Sequence, residues 1–197
     1  MLPGIEFSGI DGTFLKHIEI DDDACVLLLV TRDGNNKLVV IAWVYCMSET
    51  KENYIYMAKH VKRMDYANDY LNRKKHLLYS DRMKGITHFE KEFVCGHAHC
   101  IWHIIKNMRR HCRQTRGARV GFHAEQVHQI QQAKTENEFK QKLSLLRRGF
   151  PEAANYLNAL DHEKTFLYRL LEEGYTSHGH RTSNVVEIMN KVIKEAR

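Results

Sequence analysis

The sequence predicts a mixed α/β fold, a five-stranded sheet covered by helices, on three observations. Apolar strand-like runs come first, two of them joined by a turn signal; short strands then alternate with helices; and the C-terminal half keeps helical spacing throughout. The chain has 197 residues, 43% of them apolar, with 11 Gly and 2 Pro, which suits one domain with a real core. Disorder, collagen and a disulfide scaffold are excluded by apolar content, by the lack of a glycine period and by only 5 Cys. The longest apolar runs, near Val26–Val30 and Leu38–Cys46, are too short to cross a bilayer, and no secretory layout opens the chain. A soluble intracellular protein with reduced thiols is expected.

Strands are expected at Ile5–Ile10, Ala24–Thr31 and Lys37–Tyr45. Arg32-Asp33-Gly34-Asn35-Asn36 joins the last two as a hairpin, and Asp21-Asp22-Asp23 reads as a solvated turn. From Thr50 the period changes: Tyr54, Met57, Ala58, Val61 and Met64 fall at helical spacing, with Ser48 or Thr50 as the cap. A short strand, His76–Ser80, ends in Asp81; a helix over Lys84–Glu92 and a fifth strand within Phe93–Ala98 follow. The next helix, Cys100–Arg113, carries Ile101, Ile104, Ile105 and Met108 on one stripe. Thr135-x-x-Glu138 is a capping box, Pro151 suits a first helical position, and Asp161 caps a helix that stops at Gly174. Tyr175–Arg181 reads as a polar loop, after which Asn184 opens a last helix with Val185, Met189, Val192 and Ile193 facing inward. The expected division is a core over 1–121, a helical insertion over 122–181 and a final core helix over 182–197.

Charge is unevenly placed. No acidic residue lies between Glu92 and Glu125, while Lys106, Arg109, Arg110, Arg113, Arg116 and Arg119 fall there, so the whole net charge of +6 resides in that stretch. Five of the 13 His (His97, His99, His103, His111 and His123) share it. A local basic patch beside a neutral remainder suits a polyanion, because phosphate contacts release counterions. Those six residues are the candidate contacts to such a polyanion; a solvated helix face is the alternative.

Two acids stand at strand ends, Asp11 in Gly9-Ile10-Asp11-Gly12-Thr13 and Asp81 in Tyr79-Ser80-Asp81-Arg82. Carboxylates at the ends of neighbouring strands converge on one point and make a hard-oxygen site for Mg²⁺ or Mn²⁺, suited to phosphodiester chemistry. The competing reading is that each Asp starts a turn.

A longer pattern bears on that choice: Asp11-Gly12-Thr13-Phe14-Leu15-Lys16, Leu27-Leu28-Leu29 with Asp33-Gly34-Asn35-Asn36, Ser48-Glu49-Thr50-Lys51-Glu52, Ser80-Asp81-Arg82-Met83-Lys84-Gly85, His99-Cys100-Ile101-Trp102-His103 with Asn107, Phe150-Pro151-Glu152-Ala153 with Tyr156-Leu157, and Thr182-Ser183-Asn184-Val185-Val186-Glu187-x-x-Asn190. In this order, over nearly the whole chain, it resembles the transposase domain of Mutator-like elements (MULE transposases). The resemblance implies an RNase H-like core with an Asp-Asp-Glu triad interrupted by a helical insertion. Asp11 and Asp81 match its aspartates and Glu187 its third acid, with Glu172 and Glu173 as alternatives. It also implies two Mg²⁺ or Mn²⁺ ions held by Asp11, Asp81 and Glu187, nicking that frees a 3′-hydroxyl, transfer of that end to target DNA, and a nuclear location. The partners it implies are transposon ends and target DNA, with a homo-oligomer compatible and no membrane. Against Glu187, Asn184 and Glu187 have the spacing of a helix cap and its partner, and the inward face named above points Glu187 away from the core.

Cys100 and His103 match the family's Cys/His pair. Zinc is not expected there, since no second paired knuckle occurs beside Cys95, His97, His99 and Cys112; packing or local hydrogen bonding is. Met47 and Ala24 depart from the family pattern away from the triad. A domesticated or inactive remnant that binds DNA through the basic stretch is the non-enzymatic alternative, and a zinc-stabilised interaction module a third.

Overall fold

A computed structural model describes residues 7–14, 24–82, 85–116, 121–175 and 184–195. The expected features at Asp21-Asp22-Asp23, Arg119, the 176–181 loop and Thr182-Ser183 lie outside them. Its contacts divide the chain into two units, residues 1–97 with 181–197, and residues 98–180.

The first unit is built on a five-stranded mixed sheet flanked by helices. Its strands are β1 (Phe7–Phe14), β2 (Cys25–Arg32), β3 (Leu38–Cys46), β4 (Leu77–Ser80) and β5 (Gly96–His99), in the order β3-β2-β1-β4-β5. β1 and β3 pair antiparallel to β2, and β4 runs parallel to β1. The β2–β3 hairpin forms where Asp33-Gly34 was expected to turn it, with Asp33 Oδ1 accepting from the amides of Asn35 and Lys37 at 2.9 and 2.8 Å. The left-handed residue of that turn is Asn36 (φ 64°), not the glycine.

Helices α1 (Lys51–Lys62), α2 (Asp65–Leu71) and α3 (Ile86–Glu90) cover one sheet face. Ile10, Leu27, Leu29, Ile41 and Leu78 project from it into one core with Tyr54, Met57, Tyr70 and Phe89. α2 was not anticipated, because the helical spacing runs on to Met64 and hides the break there. Thr50 is the α1 cap, its hydroxyl accepting from Asn53 N. Ser48 instead supplies its carbonyl to the Asn53 side chain at 2.7 Å.

The last helix, here designated α4 (Asn184–Glu195), packs on β1 and β2. Asn190 on it reaches Asp11, whose side chain alternates with that of Ile10, so α4 lies on the face opposite α1–α3. Its inward face is Val185, Val186 and Asn190, whereas Val192, expected inside, is 51% exposed. The helix is rotated to point Asn190 at the sheet, which a rule based on apolar spacing alone does not anticipate.

The second unit is helical: α5 (Ile101–Arg116), α6 (Ala124–Gln131), α7 (Glu136–Gly149), α8 (Pro151–Asn158), α9 (His162–Thr165) and α10 (Leu167–Glu172). Ile101, Ile104, Ile105, Met108 and Cys112 of α5 share one core with Phe122, Val127, Phe139 and Leu157. The contact boundary therefore precedes α5 rather than following it at 121. The single helix expected from Asp161 to Gly174 is two, α9 and α10. Phe166 between them is extended (φ −109°, ψ 135°) and buries its ring against Phe139 and His162. In the Thr135 box only half the expected exchange forms: Thr135 accepts from Glu138 N, but Glu138 reaches the amide of Lys134 instead. All five cysteines are free thiols.

Candidate metal centre

Asp11 is not at a strand end. β1 continues three residues beyond it, with Asp11 and Gly12 paired to Leu28 and Leu27 of β2, so the Asp-Gly pair makes no turn. The parallel register of β1 with β4 (Phe7 beside Leu77, Gly9 beside Tyr79) carries on to set Asp81 level with Asp11. Asp81 lies just past the last residue of β4, as expected.

The end of β4 is fixed from below. The Ser80 hydroxyl donates to the Asp81 carbonyl at 2.6 Å and is in hydrogen-bond contact with His97 Nε2 at 2.5 Å. His97 Nδ1 in turn lies against the carboxylate of Glu90 on α3.

A third acid joins the two aspartates. Carboxylate oxygens of Asp11, Glu49 and Asp81 all lie within 4.8 Å of one another, close enough to share a cation. Glu49 occupies the connection from β3 to α1. Tyr54, fully buried one turn into α1, donates its hydroxyl to Glu49 Oε1 at 2.5 Å. Burial first, and then the Glu49 charge, push the Tyr54 hydroxyl far above its ordinary pKa, so it remains a donor. Two glycines make this arrangement fit. A Cβ on Gly12 would stand 2.8 Å from Glu49 Cδ and 2.9 Å from its Oε2, and one on Gly85 would stand 2.6 Å from the Tyr54 ring. The glycine of Asp11-Gly12 thus serves close approach rather than a turn.

Asn190 Nδ2 donates to Asp11 Oδ2 at 3.3 Å. Its own Oδ1 and the hydroxyl of Thr13, two residues beyond Asp11 on the same face, are buried without hydrogen-bond partners among the described residues. Buried polar atoms left open next to clustered carboxylates suit the water shell of a hard cation.

Glu187 lies in the first turn of α4, partly buried, one turn before Asn190, and is not a member of the three-carboxylate set. Glu49 was not singled out as a ligand. Its only sequence signal is its place in Ser48-Glu49-Thr50, just after a strand and just before a helix cap. Glu172 and Glu173 are exposed at the end of α10, with Glu172 paired to Arg169 at 2.8 Å.

In the helical unit, Cys100 is buried directly before α5, and its carbonyl accepts from Ile104 N. His103 is partly buried on α5. Lys106, Arg109, Arg110 and Arg113 are exposed along the same helix, and Arg116 is its last residue. No helix among the described residues is long and apolar enough to cross a membrane.

No model of a known protein family matches the chain, and a search of curated proteins gives no match.

Proposed function

We propose that the chain is the catalytic domain of a DNA transposase of the Mutator-like type, with an RNase H-like core that carries out divalent-metal-dependent phosphodiester hydrolysis and strand transfer. The observation that carries this reading is the convergence of Asp11, Glu49 and Asp81 within 4.8 Å. Support for the fold comes from the strand order, three antiparallel strands followed by one parallel to β1, with aspartates level on β1 and after β4.

In this reading Asp11 and Asp81 hold Mg²⁺ or Mn²⁺. Glu49, kept in place by Tyr54 and Gly12, completes the oxygen set, and Asn190 fixes the rotamer of Asp11. Glu187, matched to the family's third acid, stays a candidate for a second ion. When bound, the cation neutralises the charge that builds on a phosphodiester at its transition state. Hydrolysis frees a 3′-hydroxyl, which then attacks a phosphodiester of a second DNA, forming a new P–O bond as that strand's own 3′-oxygen leaves and takes up a proton; no bond to the protein forms. The basic face of α5 would hold DNA backbone, and the nucleus is the place such a substrate implies.

The test is cleavage of end-labelled DNA by purified protein in Mn²⁺ or Mg²⁺. Cutting that is abolished by chelator and by Asp81→Asn supports the proposal. No cutting in either metal, or cutting indifferent to Asp81→Asn, overturns it. DNA binding that survives loss of Asp11 and Asp81 without any cutting favours the non-catalytic remnant instead.

A further inference from the structure

The solvent face of α5 carries one large exposed aromatic among its cations. Trp102 is 47% exposed. At 100° per residue, Lys106, Arg109 and Arg113 fall within about 40° of it, and the stripe runs for about 16 Å. Trp102, Lys106, Arg109, Arg110 and Arg113 line a groove of about 390 Å³, within the roughly 300–1,000 Å³ of small-ligand pockets. Among the described residues none of these four cations is paired with an acid, so their charge is not spent inside the fold. The indole is braced from α6: its ring meets that of His128 edge to face, 5.9 Å between centroids at 80°. Arg109 is steadied by its guanidinium over the Phe122 ring at 5.6 Å.

We infer that this groove binds unpaired single-stranded DNA, with Trp102 stacking on a nucleobase and Lys106, Arg109, Arg110 and Arg113 contacting the flanking phosphates. Cations alone would serve duplex and single strand alike, since both present phosphates. An exposed, braced indole at one end of the row discriminates between them: bases inside a duplex are stacked on each other and offer it no face, whereas an unpaired base does. An acidic peptide satisfies the charges but leaves the indole unused. The inference deepens the DNA reading above and rests on it only for the choice of DNA as the nucleic acid; its site lies wholly within the helical unit and needs no metal.

The experiment is run in chelator, which separates it from failure of the metal chemistry. The chain has 2 Trp, so Trp43→Phe, at a position 65% exposed on β3, leaves Trp102 as the sole indole reporter. Oligothymidylate should quench its fluorescence and bind more tightly than a duplex of equal length. Trp102→Ala should weaken single-strand binding by roughly tenfold, leave duplex binding unchanged and leave the melting temperature close to that of the parent; Trp102→Phe should restore most of the affinity. Changing Arg109, Arg110 and Arg113 together to Ala should weaken both ligands and flatten the salt dependence. Equal affinity for duplex and single strand, unchanged single-strand affinity in Trp102→Ala, or polyglutamate binding as tightly as oligothymidylate would each overturn the inference.

Discussion

Asp81→Asn should raise the melting temperature of the metal-free protein while removing its response to metal. The three carboxylates lie within 4.8 Å of one another. At that separation two unit charges repel by about 0.9 kcal/mol in water and by about 3.5 kcal/mol at an effective dielectric constant of 20. Glu49 and Asp81 are only partly buried, so the lower figure governs; removing the Asp81 charge relieves two such pairs, about 2 kcal/mol in all. For a chain of this size that is a rise of about 4–8 °C. With Mn²⁺ at about 100 times its dissociation constant the wild-type protein should gain about 2.7 kcal/mol and overtake the variant, which lacks a ligand. Differential scanning calorimetry in chelator and in Mn²⁺ reads both effects. A variant that melts lower than wild type in chelator and shows the full Mn²⁺ shift would refute a shared cation site built on these carboxylates.

Gly12→Ala inserts a methyl group 2.8 Å from Glu49 Cδ, where ordinary carbon contacts are about 3.5–4.0 Å, so the carboxylate must retreat by roughly 1 Å. Mn²⁺ affinity, by titration calorimetry, should fall about 10–100-fold, as it does when a ligand's support is lost. Tyr54→Phe keeps the buried ring but removes the donor to Glu49 Oε1; it should weaken Mn²⁺ binding by a comparable factor and leave helix content unchanged by circular dichroism. His76 gives the pH dependence. It is fully buried against Ser8 and Tyr70, and burial, with Arg73 adding to it, pulls its pKa from 6.5 to about 3. The unfolded chain therefore binds a proton that the folded one refuses between those values, so this contribution to stability is intact above about pH 6.5 and is lost progressively down to about pH 3, by about 1.4 kcal/mol per pH unit. Denaturant titrations at pH 6.5, 5.5 and 4.5 should show that slope in wild type and a shallower one in His76→Gln; parallel slopes would contradict it.

Local signals in this chain are the ones that translate into structure. The apolar runs become β1–β3, Ile101, Ile104, Ile105 and Met108 are buried on one side of α5, and Thr50, Pro151 and Asp161 stand at the helix starts where their chemistry puts them. Each depends on residues a few positions apart. What misleads is the case where a local motif is overruled by a distant partner. Asp11-Gly12 has the composition of a turn, yet seven consecutive β1 residues pair with β2, and ladder hydrogen bonds hold the pair extended. Phe166 has the spacing of a helix interior, yet burying its ring beside Phe139 is favoured over one continuous helix.

The candidate centre follows the same division. Two of its acids were legible, because an Asp close to an apolar run is a local feature, but their meeting depends on a parallel register that spans 70 positions and that no local pattern encodes. Glu49 was hidden for a further reason. Its recruitment rests on an absence, the missing side chain of Gly12, and on a buried hydroxyl at Tyr54 whose apolar ring makes it read as core. An aromatic at helical spacing counts as packing in any reading of periodicity, and Tyr54 does pack; only its phenol tip does the second job. The same holds on α4, where Asn190 interrupts the apolar stripe yet is the side chain that touches Asp11. Thr13, Tyr54 and Asn190 each carry a polar atom into the buried part of the first unit, and two of the three hold a carboxylate. Variants of Tyr54 and Asn190 should separate metal affinity from folding more cleanly than variants of the acids themselves, because they change the aim of the carboxylates without changing their charge.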